Sequence, residues 1–216
     1  MHMGLLINDK YSVKSLRYNL GNYEIPEEYL KGTAIDVGCN NGSFLHKYKN
    51  KFTCIHAYEP NKFLFDLLKN NYKQDGNITI FNEAVYSIPN NITRLIKHKY
   101  TDDNGSFTTS KDIKINEWDK NEIICEALTV DLKTILERVG NIINVLKIDC
   151  ENSEYSFLME KDLSNINLIA IEIHHQLGED KFVELFNFIS KTHHAQSKPY
   201  LSGVNQEFIF INKTNK

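Results

Sequence analysis

Thr33-Ala34-Ile35-Asp36-Val37-Gly38-Cys39-Asn40-Asn41-Gly42-Ser43-Phe44 is the stretch on which the reading of the whole chain turns. Its first five residues are apolar or β-branched around one acid and predict a short strand. Glycines at 38 and 42 let the backbone turn tightly and approach a ligand closely. A helix is expected over 42–48. A strand that turns through glycine into a helix is the opening unit of a parallel α/β fold. A dinucleotide fingerprint would read G-x-G-x-x-G, with a pyrophosphate on the helix N-terminus. Here the spacing is D-x-G-x-x-x-G, so one glycine is missing and an acid precedes the loop. An acid repels a pyrophosphate but suits a cationic amino-acid ligand. The ammonium and sulfonium of S-adenosylmethionine meet that description.

Working outward, the chain alternates in type. A second strand is expected over 52–58, a helix over 61–72 and a third strand over 77–86. The rhythm then changes to short β-like pieces at 93–99, 106–110 and 123–130, around the turn Asp102-Asp103-Asn104-Gly105; Asn-Gly is a strong turn signal. Alternation resumes with a helix over 131–138 capped by Asp131 and a strand over 145–149. A helix over 153–160, a strand over 168–173 and an amphipathic helix over 179–191 follow. Closing strands are expected at 200–201 and 207–211. Residues 1–31 read as a partly helical preamble, with Pro26 at a helix start. The pattern predicts an α/β domain over 32–216, with a mostly parallel sheet, helices on both faces and a small β insertion at about 92–130.

Ligands of such sheets bind at the carboxyl ends of the strands, so those residues carry the functional reading. Glu59 follows the second strand, 23 positions after Asp36, where a carboxylate can accept from both ribose hydroxyls of a nucleoside. Pro60 is expected to start the next helix. Asn82 and Ala84, after the third strand, are candidates for the adenine edge. Asp149 heads a run of three acids with Glu151 and Glu154 and is expected to point into the cleft as a base, a metal ligand or an anchor for the substrate hydroxyl. Glu172 and His174 should share one side of their strand by alternation. His174 is a candidate general base. With Asp149 and Glu172 it is also a candidate divalent-metal site. His193 and His194 are expected on the surface near a helix end.

Composition narrows the classes. Hydrophobic residues make up 41% of the 216, enough for one domain with a real core, and the net charge of −3 carries no pull toward a polyanion. There is no basic tract for nucleic acid. The four cysteines form no C-x-x-C pair and read as buried reduced thiols. No apolar run approaches the roughly 20 residues of a membrane span. Met1-His2-Met3 reads as a scar of cloning followed by polar sequence, so no leader is expected and a cytoplasmic location is.

Taken together, TAIDVGCNNGSF (33–44), HAYEPN (56–61), NEAVY (82–86), NGSFTTS (104–110), TVDL (129–132), LKIDCENSE (146–154) and AIEIHH (170–175) resemble the FkbM family of methyltransferases. The resemblance implies a Rossmann-like class I methyltransferase domain that O-methylates sugars, glycan precursors or natural-product hydroxyls with S-adenosylmethionine. It places Asp36, Gly38, Asn40, Gly42 and Ser43 around the methionine part of the cofactor and Glu59 on the ribose. It sets Asn82 and Ala84 near the adenine, Ser106 against the cofactor from the insertion, and Asp149 beside the reacting methyl. Cys39 stands where alanine is usual, and Asn152 where glycine is usual; asparagine tolerates left-handed backbone, so the turn can survive. Three rivals stand beside this reading. The missing glycine argues against an NAD-dependent oxidoreductase. The absent basic face, with no Pro-Pro-aromatic block, argues against a nucleic-acid methyltransferase. The intact acids at 149–154 argue against a non-catalytic cofactor-binding partner subunit. The expected partner is a small-molecule or sugar acceptor.

Overall fold

The computed structural model describes residues 24–98, 108–109, 121–140, 142–199 and 205–214. In chain order its strands and helices begin with β1 (Thr33–Val37), α1 (Ser43–Tyr48), β2 (Cys54–Tyr58), α2 (Lys62–Asn71) and β3 (Ile78–Phe81). Next come β4 (Glu83–Val85), β5 (Ile92–His98), β6 (Thr108–Thr109), β7 (Asn121–Val130) and α3 (Leu132–Val139). The chain continues through β8 (Ile143–Ile148), α4 (Glu154–Leu158), β9 (Ile166–Ile173), α5 (Glu179–Ile189), β10 (His193–Ala195) and β11 (Gln206–Asn212). The expected turn at 102–105, Ser106 and the strand at 200–201 lie outside the described residues, as does most of the preamble.

Among the described residues, seven strands form the main sheet in the order β10-β11-β9-β8-β1-β2-β3. The five from β9 to β3 pair in parallel, and β11 and β10 close the other edge antiparallel. The chain leaves β1 toward β3, then returns to place β8 on the far side of β1. That reversal opens a crevice between the ends of β1 and β8, the place where a doubly wound sheet binds its ligand. Strand alternation sends Ile35, Val37, Leu146, Ile148, Ile169 and Ile171 to one face, under α3, α4 and α5. Ala34, Val145, Ile55, Ala57, Leu168 and Ala170 go to the other face, under α1 and α2. The fold is Rossmann-like α/β with helices on both faces.

A second sheet, β4-β7-β5-β6, stands beside the first. The strand expected over 77–86 is therefore two: Asn82 breaks it, sending β3 into the main sheet and β4 against β7. Asn61, not Pro60, caps α2, its side chain accepting from the N–H groups of Phe63 and Leu64. Asp131 caps α3 as expected, accepting from Thr134 N at 2.9 Å. His193 departs from expectation: it lies in β10, is buried, and its Nε2 bonds the carbonyl of Ile166 at 2.9 Å. Edge pairing with β11 draws it in. Among the described residues no helix is long and apolar enough to cross a membrane.

Candidate active site

A cleft, partly open to solvent, lies over the crevice. Gly38, Asn40, Glu59, Ala84, Asp149 and Glu151 are on its walls, and the second sheet contributes Leu95. Gly38 has φ +67°, and a Cβ there would lie 1.8 Å from the carbonyl oxygen of Asp149. The two strand ends thus cross backbone on backbone, and only glycine permits it. Asp149 N donates to Val37 O at 3.1 Å, while Gly38 N and Cys39 N both donate to Tyr58 O.

Glu59 is 4% exposed. Its Oε2 accepts from Asn40 N at 2.7 Å and its Oε1 from Asn61 N at 2.8 Å. Burial pushes its carboxyl up to about 7 despite these two donors. Each oxygen keeps a lone pair for a further donor. Asn82 does not offer its amide N–H groups to a ligand: both are spent on the carbonyls of Glu59 and Pro60, at 2.9 Å each. Asn82 therefore braces the Glu59 loop from behind. Beyond it, Tyr58 stacks on Phe81 with centroids 4.9 Å apart, Arg138 lies over Phe81, and Arg138 forms a two-pronged ion pair with Glu83 on the cleft wall.

Asp36 is not on the cleft wall. It is fully buried on the α1/α2 side of β1, facing Lys147 in register on β8, with Lys147 Nζ 3.2 Å from its Oδ1. Burial raises its pKa, and the lysine opposes that shift. It is ion-paired with Lys147, although neither carboxylate oxygen has a hydrogen-bond partner among the described residues, and it is shut off from the cleft; the structure sets it behind the first loop, not on the wall where the sequence reading placed it. Gly42 and Ser43 also stand off the wall: Ser43 Oγ bonds Asn41 Oδ1 at 2.6 Å, and Gly42 packs toward Leu68 and Tyr72.

The third group surrounds His174, which is 1% exposed. Its Nδ1 lies 2.6 Å from Glu154 Oε1, and its Nε2 lies 3.2 Å from Glu151 Oε2 and 3.9 Å from Asp149 Oδ1. Burial opposes the charged ring, but Glu151 and Glu154 outweigh it and lift its pKa to about 11. The ring is therefore an imidazolium that donates from both nitrogens, which contradicts its reading as a general base. The turn that delivers Glu151 is left-handed at Glu151 (φ 51°) and Asn152 (φ 82°), as the asparagine-for-glycine reading anticipated. Glu172 is half-buried, and burial followed by the charge of Asp149 raises its carboxyl. One ligand atom each from Asp149, Glu172 and His174 lie within 4.8 Å of one another.

The geometry thus gathers Gly38, Asn40, Glu59, Ala84 and Asp149 on one cleft, with Glu172 and His174 clustered about Asp149. Asp36, Gly42, Ser43 and Asn82 sit behind it. Lys147 and Arg138 were missed. The residues facing them, Asp36 and Glu83, are 111 and 55 positions away in sequence, so no local pattern points to either.

The FkbM methyltransferase domain matches residues 36–198. A methyltransferase FkbM from Methylobacillus flagellatus KT superposes with a TM-score of 0.51 at 14% identity, covering 88% of this chain and 45% of that one. This chain thus spans about half the length of that relative. The protein SMU.1697c of Streptococcus mutans, solved in complex with SAH, gives 0.49 at 11% identity over 88% and 99% of the two chains. An rRNA methylase from Streptococcus thermophilus gives 0.45 at 9% identity over 86% and 93%. No curated protein matches the chain.

Proposed function

The chain belongs to the FkbM family of methyltransferases, and from that premise we propose that it moves a methyl group from S-adenosylmethionine to an oxygen of a sugar, glycan precursor or natural product. The observation that carries the reading is the pairing of Glu59 and Asp149 across one cleft. Glu59 is a preformed acceptor for two ribose hydroxyls, held by the N–H groups of Asn40 and Asn61. Asn40 and Gly38 would flank the methionine part, and Ala84 the base. When bound, the cofactor supplies an electrophilic methyl that needs no further activation.

The protein's part is to orient the acceptor and take its proton. Alkyl hydroxyls are poor nucleophiles, so alignment and proton removal set the rate. Asp149, a half-buried carboxylate on the cleft wall directly after β8, can accept that proton. The imidazolium of His174 braces the acids at 149–154 from behind. The carboxylates on this side favour hydroxyl-rich acceptors and disfavour phosphates, which supports a small sugar-like acceptor over a nucleic acid. Asp149→Asn should bind cofactor normally and lose turnover; near-normal turnover would remove Asp149 from the chemistry.

A second reading rests on the convergence of Asp149, Glu172 and His174. A divalent ion there would replace the proton on His174 Nε2, with Glu154 on Nδ1 as the outer carboxylate that orients a metal-bound histidine. It would polarise the acceptor oxygen. Turnover abolished by a chelator and restored by magnesium or manganese is the result this reading requires. Chelator-resistant turnover leaves Asp149 acting alone.

A further inference from the structure

Lys147 is 7% exposed, and its ammonium sits among three oxygens. Nζ lies 2.8 Å from Gly38 O, 3.2 Å from Val37 O and 3.2 Å from Asp36 Oδ1. Two of the ammonium's three donors go to the two carbonyls, and the third oxygen, Asp36 Oδ1, faces it as a counterion without a hydrogen bond. All three belong to the end of β1, although Lys147 is on β8. The N–H groups of Gly38 and Cys39 are meanwhile taken by Tyr58 O, and Val37 O also receives Asp149 N. Every peptide plane from Val37 to Cys39 therefore has a fixed orientation, and Lys147 sets the carbonyl side of two of them. A counterion for Asp36 alone would not need those carbonyls.

We propose that Lys147 is a positioning residue for cofactor binding, locking the loop at the end of β1 to the end of β8 so that Gly38, Asn40 and Asp149 are preorganised around the ligand. This rests on the cofactor reading above. Without the ammonium, the Gly38 carbonyl loses its partner and the turn beneath the methionine part is held from its N–H side alone. Asp36 is also stranded, which would lower stability for a separate reason.

The experiment separates the two effects. S-adenosylhomocysteine is titrated calorimetrically into the unsubstituted protein, Lys147→Met and the double variant Asp36→Asn/Lys147→Met, with a thermal melt of each. The double variant removes the stranded charge, so its melting temperature should recover relative to Lys147→Met. Its affinity should stay at least tenfold below that of the unsubstituted protein. A double variant that melts and binds like the unsubstituted protein would overturn the proposal and leave Lys147 a counterion. If the unsubstituted protein itself fails to bind, the cofactor reading falls and takes the proposal with it. A measurement without substitution guards against misfolding. In lysine-¹⁵N-labelled protein, the buried ammonium resonance, shielded from solvent exchange, should shift when S-adenosylhomocysteine is added. A resonance that does not move contradicts the proposal.

Discussion

Glu59 is a buried carboxylate held by two backbone N–H groups, and its proton affinity makes the cofactor reading testable by pH. Its pKa in the fold is raised from 4.5 to about 7, so folding favours the protonated form. The stability it contributes is present below about pH 4.5 and is lost as pH rises through 7. Ribose hydroxyls need the opposite form, because they donate to a carboxylate. Affinity for S-adenosylhomocysteine should therefore rise with pH, being about tenfold weaker at pH 6 than on the plateau above pH 8. Glu59→Gln should bind more weakly and flatten the curve; a flat curve in the unsubstituted protein would take Glu59 off the ribose. His174 runs to the same sign over a higher window. Its pKa is raised from 6.5 to about 11, so its contribution is complete below pH 6.5 and fades as pH climbs toward 11. In chelator-treated protein, His174→Gln should remove that slope and cost about 3 kcal/mol at pH 7, since Glu154 is left buried without its cation. Denaturant unfolding at pH 7 and pH 10 reads both quantities. The positions of Glu59, Asp149, Glu172 and His174 were legible because each directly follows or ends a strand. Their states were not: protonation of His174 depends on Glu151 and Glu154, which the left-handed turn after β8 and the start of α4 bring to its two ring nitrogens.

Turns carry the next level of constraint. The crossing at Gly38 sets backbone against backbone, with a Cβ contact of 1.8 Å to Asp149 O. No side chain can swing aside to relieve it. Gly38→Ala should cost more than about 2 kcal/mol and abolish cofactor binding, because relief requires β1 and β8 to part at the crevice. Asn152 is the contrasting case. It already holds a left-handed backbone at φ 82°, so Asn152→Gly should be neutral or stabilising by up to about 1 kcal/mol with turnover unchanged. The pair of melts distinguishes a glycine needed for space from a left-handed position open to several residues. Most elements were readable from period and punctuation: β1, β2, α2, α3 and β9 fall within a few residues of expectation. The failures share one cause. Asn82 splits what reads as a single strand because β4 pairs with β7 across more than forty residues, and β10 exists only because β11 lies beside it. Pairings of that range leave no mark in the local sequence. Asp36 failed the same way: its partner Lys147 becomes visible only when β1 and β8 are set in register.

The cleft gathers residues from several elements of the molecule. Gly38 and Glu59 belong to the main sheet, Ala84 and Leu95 to the smaller one, and Asp149 to the far side of the crevice. A ligand that fills the cleft therefore bridges both sheets across a boundary already packed through Tyr58, Val85 and Val130. Mass action gives the size of the effect: ligand at 100 times its Kd adds about 2.7 kcal/mol. For a chain of this length each kcal/mol moves Tm by roughly 2–4 °C. S-adenosylhomocysteine should thus raise Tm by about 5–10 °C as a single sharpened transition, and NAD should leave it unmoved. The shift should shrink below pH 7 with the ionisation of Glu59 and disappear in Gly38→Ala. If S-adenosylhomocysteine stabilised only part of the molecule, splitting the melt in two, the smaller sheet would not be a wall of the cofactor site, and the assignment of Ala84 would fail while that of Glu59 stood.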